Sequence, residues 1–288
     1  MKAPILLLSA FSILLFSCSK DDKPATSPKL IFKYKFDPTQ ERLNNLGQPA
    51  TIAAGNAAQS PVMRGLSAHY IELAPLPITL LGKGTVLYKN EETTAGGAAA
   101  IDFSKAVIGT DNSVFFEMPL KDVKPGAYQY LRVSLAYQSY DIKINVAALN
   151  QEVSGTLASF IGYNSYIDHY KIKDSTVTVK GNRLQGYWGL EVAGKVITGQ
   201  APAGATTVPN PLAATSPIPA GSCVVTGTLD NSFEITGKET KDIVITVSLS
   251  VNHSFEWKDK NANGKFDPID GEAVVDMGIR GLKTIIEK

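Results

Sequence analysis

The chain has 288 residues, 44% of them hydrophobic, with 28 Lys and Arg against 27 Asp and Glu and a formal net charge of +1. This length allows one large domain or two smaller ones, and it is enough to bury a sizeable core without disulfides. The charges are nearly balanced and form no basic run, so we expect no nucleic-acid partner.

The N-terminus has the pattern of a secretory signal. One lysine precedes an apolar run, residues 3–16, which is too short to span a bilayer as a stable helix. The following residues, Leu15-Phe16-Ser17-Cys18, resemble the lipobox of bacterial lipoproteins, in which the cysteine becomes the first residue and carries a lipid anchor. The resemblance implies a signal peptide over residues 1–17 and lipidation of Cys18.

The residues after the lipobox carry a second resemblance. Cys18-Ser19-Lys20-Asp21-Asp22 is similar to the surface-export signal of Bacteroidota-type lipoproteins, which is Cys, any residue, Lys and two acidic residues. It implies an outer-membrane protein, lipid-anchored and facing the cell exterior. Residues 18–28 are polar and contain proline, which predicts a flexible tether after the lipidated cysteine.

Apolar residues alternate with polar ones through most of the remaining chain, which predicts strands with one buried face. The runs with this pattern are KLIFKYKF from Lys29, AYQYLRVSLAYQ from Ala127, DIKINV from Asp141, STVTVKG from Ser175, RLQGYWGLEV from Arg183, SCVVTGTL from Ser222 and DIVITVSLSVNHSFEW from Asp242. In the second run, the alternation places Leu135 and Tyr137 on one face. In the last run, it places His253 on the apolar face with Trp257.

Turn signals at residues 124–126 and 180–182 separate these runs, and no long amphipathic helix is present. We therefore predict an all-β fold, an antiparallel β-sandwich, formed by residues 29–288 as a single domain. Residues 199–221 hold five prolines and are predicted to be a long loop, because proline cannot donate to a strand ladder. A linker between two domains is the alternative for this segment.

The order of elements in the N-terminal half carries a further resemblance. An opening strand is followed by LGQPA, LSAHYIEL, AAAIDFSKA and KPGAYQYLRVSLAYQ, an order similar to the MbnP-like domains of secreted and surface β-sandwich proteins. Some members of that family handle copper, so the resemblance implies a copper-binding role as an alternative function. No copper site can be transferred residue by residue.

The segment DKNANGKFDPID, residues 259–270, has the spacing of a calcium loop. In EF-hands and dockerins, side-chain oxygens come from positions 1, 3, 5, 9 and 12, a backbone carbonyl from position 7, and a glycine at position 6 makes the turn. Position 6 is Gly264, and Glu272 just beyond the loop is an alternative last ligand. The predicted ligands are Asp259, Asn261, Asn263, Lys265 through its carbonyl, Asp267 and Asp270.

Strand-like sequences flank this segment, so we predict a β-hairpin whose turn is the calcium loop rather than an EF-hand. The competing interpretation is an Asx-rich turn, because Asp, Asn and Gly favour turns by themselves. Turn formation requires only two or three of these residues, whereas cation binding requires all of them, and the full spacing therefore favours Ca²⁺.

The histidines, Cys223 and one aromatic segment are further candidate sites. The three histidines, His69, His169 and His253, are far apart in sequence, and we predict His253 to be a core residue. Cys223 is predicted to be a small buried residue, since no His or acid is near it. The aromatic segment from Tyr163 is a candidate binding loop because its tyrosines are irregularly spaced.

The sequence therefore predicts a non-catalytic binding or accessory module at the cell surface, stabilised by one calcium ion. Its ligand would be a glycan or a protein. The first alternative is a copper-binding protein of the MbnP-like type. The second is a glycan-active enzyme, although no catalytic motif is recognisable and no carboxylate pair stands out.

Overall fold

The computed structural model describes residues 27–44, 48–201, 222–229 and 233–288. The predicted signal peptide, Cys18 and most of the tether lie outside these ranges, as does most of the predicted Pro-rich loop. The first two residues of that predicted loop, 199 and 200, belong to a strand. In the described ranges, no helix is long and apolar enough to cross a membrane.

The regular elements in these ranges are β-strands and short 3-10 turns. The strands are β1 (Lys29–Asp37), β2 (Asn56–Gln59), β3 (Val62–Ala74), β4 (Thr85–Lys89), β5 (Glu92–Thr93), β6 (Ala100–Asp102), β7 (Ile108–Gly109), β8 (Val114–Pro119), β9 (Gly126–Ala127), β10 (Tyr130–Val146), β11 (Gln151–Phe160), β12 (Asn164–Lys171), β13 (Thr176–Leu184), β14 (Tyr187–Val192), β15 (Lys195–Gln200), β16 (Cys223–Thr228), β17 (Glu234–Ile235), β18 (Ile243–Ser250), β19 (Phe255–Lys258), β20 (Val274–Met277) and β21 (Leu282–Glu287). The 3-10 turns are Phe103–Lys105, Leu120–Asp122, Ala147–Leu149 and Pro268–Asp270.

The largest sheet has the strand order β15-β14-β11-β10-β3-β4, with β16 also pairing with β10 and β7 with β3. Smaller sheets have the orders β21-β18-β1-β8, β13-β12-β6-β5 and β2-β19-β20. Most pairs are antiparallel, and β1–β18 and β12–β6 are parallel. The predicted all-β class, with antiparallel sheets packed on one another, is confirmed.

The main core lies between the β21-β18-β1-β8 sheet and the large sheet. Phe32 of β1 and Val247 of β18 pack in one apolar cluster with Leu131 and Val133 of β10. The polar residues that alternate with these apolar ones, such as Lys33 in β1, lie on the opposite face of the strand, as the sequence pattern predicts.

The large sheet is covered on its other face as well. Leu157 of β11 packs with Trp257, whereas its neighbour Ala158 packs with Phe160 and Tyr170 in a different cluster. Because successive residues of a strand point to opposite faces, these two clusters lie on opposite sides of the large sheet. The sheet that contains β12 covers one side, and the sheet that contains β19 and β20 covers the other.

Two bulges correct the sequence analysis. Tyr137 was expected on the same face as Leu135, but the pairing of β10 with β3 shifts register between them, and Tyr137 packs in a different cluster. An extra residue in one strand reverses the side-chain alternation beyond it. The turn expected at residues 180–182 is also wrong: Lys180, with φ +52°, lies at an irregularity inside β13.

The predicted continuous strand from Ile243 to Trp257 is interrupted. It ends at Ser250, turns, and resumes as β19 at Phe255. His253 lies in the turn with φ +48° and is exposed, so its predicted place in the core is wrong. Alternation of apolar residues on both sides of a short turn looks the same in sequence as one long strand.

Candidate calcium loop and adjoining cavity

The predicted hairpin is present near the C-terminus. Strand β19 pairs antiparallel with β20, and residues 259–273 form the connection between them. Phe266, within this connection, packs at centroid distances of 5.1 Å from Phe255 and 5.5 Å from Trp257. This aromatic contact fixes the loop to the strands that carry it.

The first half of the loop is a series of tight turns closed by side-chain oxygens. Asp259 accepts hydrogen bonds from the backbone N–H groups of Asn263 (3.2 Å) and Gly264 (3.0 Å). Asn263 Oδ1 accepts from the N–H of Lys265 at 2.7 Å. Gly264 has φ +72°, a conformation that glycine adopts without strain. The sharp turn predicted at position 6 is therefore present.

Asp267 is the buried centre of the loop. Its side chain accepts hydrogen bonds from the amide nitrogens of Asn261 (3.1 Å) and Asn263 (2.8 Å), and from that of Asn145 in β10. Burial acts to raise the pKa of Asp267, but these hydrogen bonds outweigh it and hold the pKa below its ordinary value. The carboxylate therefore stays ionised although it is almost entirely buried.

Asp270 and Glu272, the two candidates for the last ligand, have different surroundings. Asp270 is exposed at the end of the Pro268–Asp270 turn, where its backbone N–H bonds to the carbonyl of Asp267 at 3.1 Å. Glu272 is buried, and its carboxylate accepts from the N–H groups of Lys260 (2.9 Å) and Asp267 (2.8 Å). The acid that joins both ends of the loop is thus Glu272.

The donor set of this loop is of the kind a hard cation prefers. Asp259 and Asp267 supply carboxylate oxygens. The amide nitrogens of Asn261 and Asn263 face Asp267, and rotation of either amide by 180° would place its oxygen there instead, as a ligand for the cation. In the part of the chain that the structure describes, no group of three or more His, Cys, Asp or Glu side chains is gathered as a metal site. A cation here would therefore depend on the amide and carbonyl oxygens as much as on carboxylates.

A cavity of about 390 Å³ adjoins the hairpin. It lies between the hairpin and the large sheet, and its walls are mainly apolar. Its lining residues include Ile142, Leu157, Trp188, Leu190, Cys223, Phe255, Phe266 and Met277, with polar groups from Ser159, Gln185, Gln200, Glu272 and Asp276. Phe266 and Glu272 belong to both the loop and the cavity wall.

The histidines do not form a site in the described residues. His69 is fully buried in β3 and its Nε2 lies 3.0 Å from Glu92. Burial lowers the pKa of His69, and the nearby Glu92 only partly opposes this effect. His169 in β12 and His253 in its turn are exposed. The buried histidine is therefore His69 rather than the predicted His253.

The remaining candidates have different outcomes. Cys223 is buried, as predicted. Trp257 is a core residue, whereas Trp188 lines the cavity. The segment from Tyr163 is not a loop: residues Asn164–Lys171 form β12, and Tyr170 is buried, which corrects the predicted binding loop.

Sequence analysis missed the cavity. Its lining comes from strands more than one hundred residues apart, such as β10 and β20, and no local pattern marks such a set. The sequence pattern singled out two of the lining residues, Cys223 as a buried residue and Glu272 as an alternative ligand, but neither as part of a cavity. Comparison with protein-family models, with curated proteins and with solved structures finds no match to this chain.

Proposed function

We propose that this protein is a lipid-anchored, non-catalytic binding module of the cell surface, that its C-terminal hairpin holds one calcium ion, and that the adjoining cavity takes a compact apolar ligand. One observation carries the proposal: the loop with calcium-ligand spacing supplies part of the cavity wall through Phe266 and Glu272. Calcium that fixes the loop would also fix the wall.

The lining favours an apolar ligand over a sugar. Phe255, Phe266 and Trp188 present aromatic surface, and the polar groups are few. Ligand sites of this kind are concave and mostly apolar, with a small number of polar groups that set orientation. The lining also holds the amides of Gln185 and Gln200, whose nitrogens donate to the carbonyls of Ile161 and Gln185, both at 2.8 Å. A polar end of such a ligand would therefore meet an amide oxygen of one of these side chains.

The cavity carboxylates support a binding role over glycoside hydrolysis. Glu272 is occupied by two backbone N–H groups, and Asp276 pairs with Arg280 and accepts from the N–H of Gly278 at 3.0 Å. A glycosidase requires two carboxyl groups that are free to face a sugar, about 5 to 10 Å apart. The alternative function, copper binding, is tested by elemental analysis of protein purified without chelator.

The experiment is titration of the mature protein with an environment-sensitive apolar dye, with millimolar calcium and again with EDTA. We expect saturable binding that weakens in EDTA. Ala201→Trp, at the cavity wall, should block the dye, whereas Ala127→Trp, at an exposed position of β9, should leave binding unchanged. Equal dye binding by both variants would refute the cavity as the site.

A further inference from the structure

The loop between β3 and β4, residues 75–84, exposes large apolar side chains. Leu76 is 48% exposed, Ile78 is 82% exposed and Leu80 is 42% exposed. Val86, the second residue of β4, adds to the same stretch at 45% exposed. We refer to residues 75–84 as the apolar loop. Lys83 is its one charged residue.

The apolar loop is held in a defined shape. The N–H of Thr79 bonds to the carbonyl of Leu76 at 3.1 Å, and that of Lys83 to the carbonyl of Leu80 at 2.9 Å. The buried carboxylate of Glu72 accepts from the N–H of Gly82 at 3.0 Å and from that of Gly84. Because these hydrogen bonds fix the base of the loop, its apolar side chains stay exposed to water and form an apolar surface patch.

The tether enters the fold at the same end of the molecule. The carbonyl of Pro28 accepts from the N–H of Leu120 at 2.8 Å, and Val123, three residues on, bonds back to Leu120. The backbone carbonyl of the next residue, Lys124, accepts from the Tyr128 hydroxyl at 2.6 Å. That hydroxyl lies 2.8 Å from Oγ1 of Thr85, the residue directly after the apolar loop. A short path of contacts thus joins the end of the tether to the base of the loop.

The tether length restricts what the apolar loop can meet. Pro28 is the tenth residue after Cys18, and ten extended residues span at most about 35 Å. A lipid on Cys18 would therefore keep this end of the fold close to the membrane surface. Exposed Lys83, Lys121 and Lys124 belong to this end and are suited to phosphate head groups, although exposed acids accompany them: Asp122 beside Lys121, and Glu117 and Asp242, which both bond to Lys29.

We propose that the apolar loop inserts into the head-group and upper acyl region of the membrane that holds the lipid anchor. Leu76, Ile78 and Leu80 would enter the bilayer surface, and the neighbouring lysines would contact lipid phosphates. This inference rests on the proposed anchor at Cys18. Attachment by acyl chains is more stable when a second membrane contact accompanies it, and the loop supplies such a contact.

The test uses mature protein, residues 19–288, with an N-terminal His-tag bound to nickel-chelating lipid in phospholipid vesicles. The tag replaces the acyl anchor, so the result does not depend on lipidation of Cys18. A polarity-sensitive dye is attached through Ile78→Cys, or through Leu184→Cys as a control that is 67% exposed in β13, both in a Cys223→Ala background. We expect blue-shifted emission on vesicles for the dye at position 78 and unchanged emission at position 184.

Emission typical of water at position 78 on vesicles would overturn the proposal, as would equal shifts at both positions. A shift at position 78 that grows with protein concentration without vesicles would also overturn it and indicate a second copy of the chain as the occupant. Lipidation is measured separately, by the mass of the N-terminal peptide from membranes. Absence of lipid on Cys18 would refute the anchor, whereas water-like emission from tethered protein would refute the loop alone.

Discussion

Asp267 shows how one residue of the loop combines burial with charge. It is 1% exposed, and three asparagine amides surround its carboxylate and hold its pKa below the ordinary value. Hydrogen bonds to a charged group are among the stronger ones in proteins, and loss of one partner leaves the others unsatisfied. The same carboxylate is the predicted calcium ligand at position 9, so its substitution should affect both stability and ion binding.

Asp267→Asn should lower the free energy of unfolding by about 1 to 3 kcal/mol without calcium, because the new amide cannot accept all three donors. It should also weaken calcium binding measured by calorimetry. The matched control is Asp270→Asn, an exposed acid in the same loop. If both variants unfolded at the same urea concentration, the central role of Asp267 would be wrong.

The stability that Asp267 contributes should depend on pH. Its pKa in the folded protein lies below the ordinary value of 3.8, so the folded state favours the ionised form. The contribution is fully present above the unfolded pKa and is lost as pH falls through the lower, folded value. Urea unfolding of the wild type and Asp267→Asn, from pH 7 to 2 in EDTA, should give curves whose difference shrinks below about pH 4. A constant difference would contradict this.

Among the elements, the β19–β20 hairpin has the most to gain from an ion. Its connection is long, residues 259–273, and is held by side-chain-to-backbone bonds and by Phe266. The carboxylates of Asp259, Asp267 and Glu272 all accept hydrogen bonds from N–H groups within residues 259–273. Calcium bound by oxygens of this connection would add a further link between the two strands.

Calcium should raise the melting temperature, and EDTA should lower it. Extracellular calcium modules bind with Kd of about 10⁻⁴ to 10⁻³ M, and an ion at 100 times its Kd stabilises the folded state by about 2.7 kcal/mol. Hydrogen exchange should slow most in residues 255–277, and least in β1. No change in melting temperature at 10 mM calcium would leave the segment as an Asx-rich turn.

Phe266→Ala should destabilise the protein by about 3 to 5 kcal/mol, because its ring fills space against Phe255 and Trp257. The control is Ile269→Ala in the same loop, where the side chain is 77% exposed and its removal should cost little. Chemical denaturation of both variants measures this. Equal destabilisation would mean that the loop is not held by its aromatic contact.

On the scale of the whole molecule, the two proposed sites lie at opposite ends of one strand. Tyr130, at the start of β10, pairs with Ala74 beside the apolar loop, and Asn145, near its end, donates to the carbonyl of Phe266 at 2.7 Å. The strand has 17 residues and spans at most about 55 Å. A fold tethered at the first end would therefore hold the hairpin and the cavity away from the membrane.

Cys18→Ser should move the protein from the membrane fraction to the soluble fraction, because the acylated residue is lost. Protease added to intact cells should cleave the wild type if it faces outward, as the export-signal resemblance implies. The matched control is Ser17→Ala, which leaves the cysteine in place. Continued membrane association of Cys18→Ser would refute lipid attachment at this residue.

Much of the fold follows from local pattern. In β1, alternation alone places Leu30, Phe32 and Tyr34 in the core, and the structure agrees. The hairpin follows too, since strand-like runs flank a loop with fixed spacing. The errors at Tyr137 and His253 share one cause: a bulge or a short turn changes which face a residue occupies, and the residue types on either side do not record it.

The sequence by itself determined the all-β class and the hairpin, because period-2 alternation is a property of neighbouring residues. The calcium ligands that the spacing of residues 259–270 indicates stay a prediction. Only the tertiary structure decided that Glu272 rather than Asp270 lies inside the loop, that a cavity forms against Phe266, and that the apolar loop lies at the tether end. These features depend on how distant strands pack. The free energy of that packing comes from contacts between segments that are distant in the chain, and the sequence of one segment does not specify those contacts.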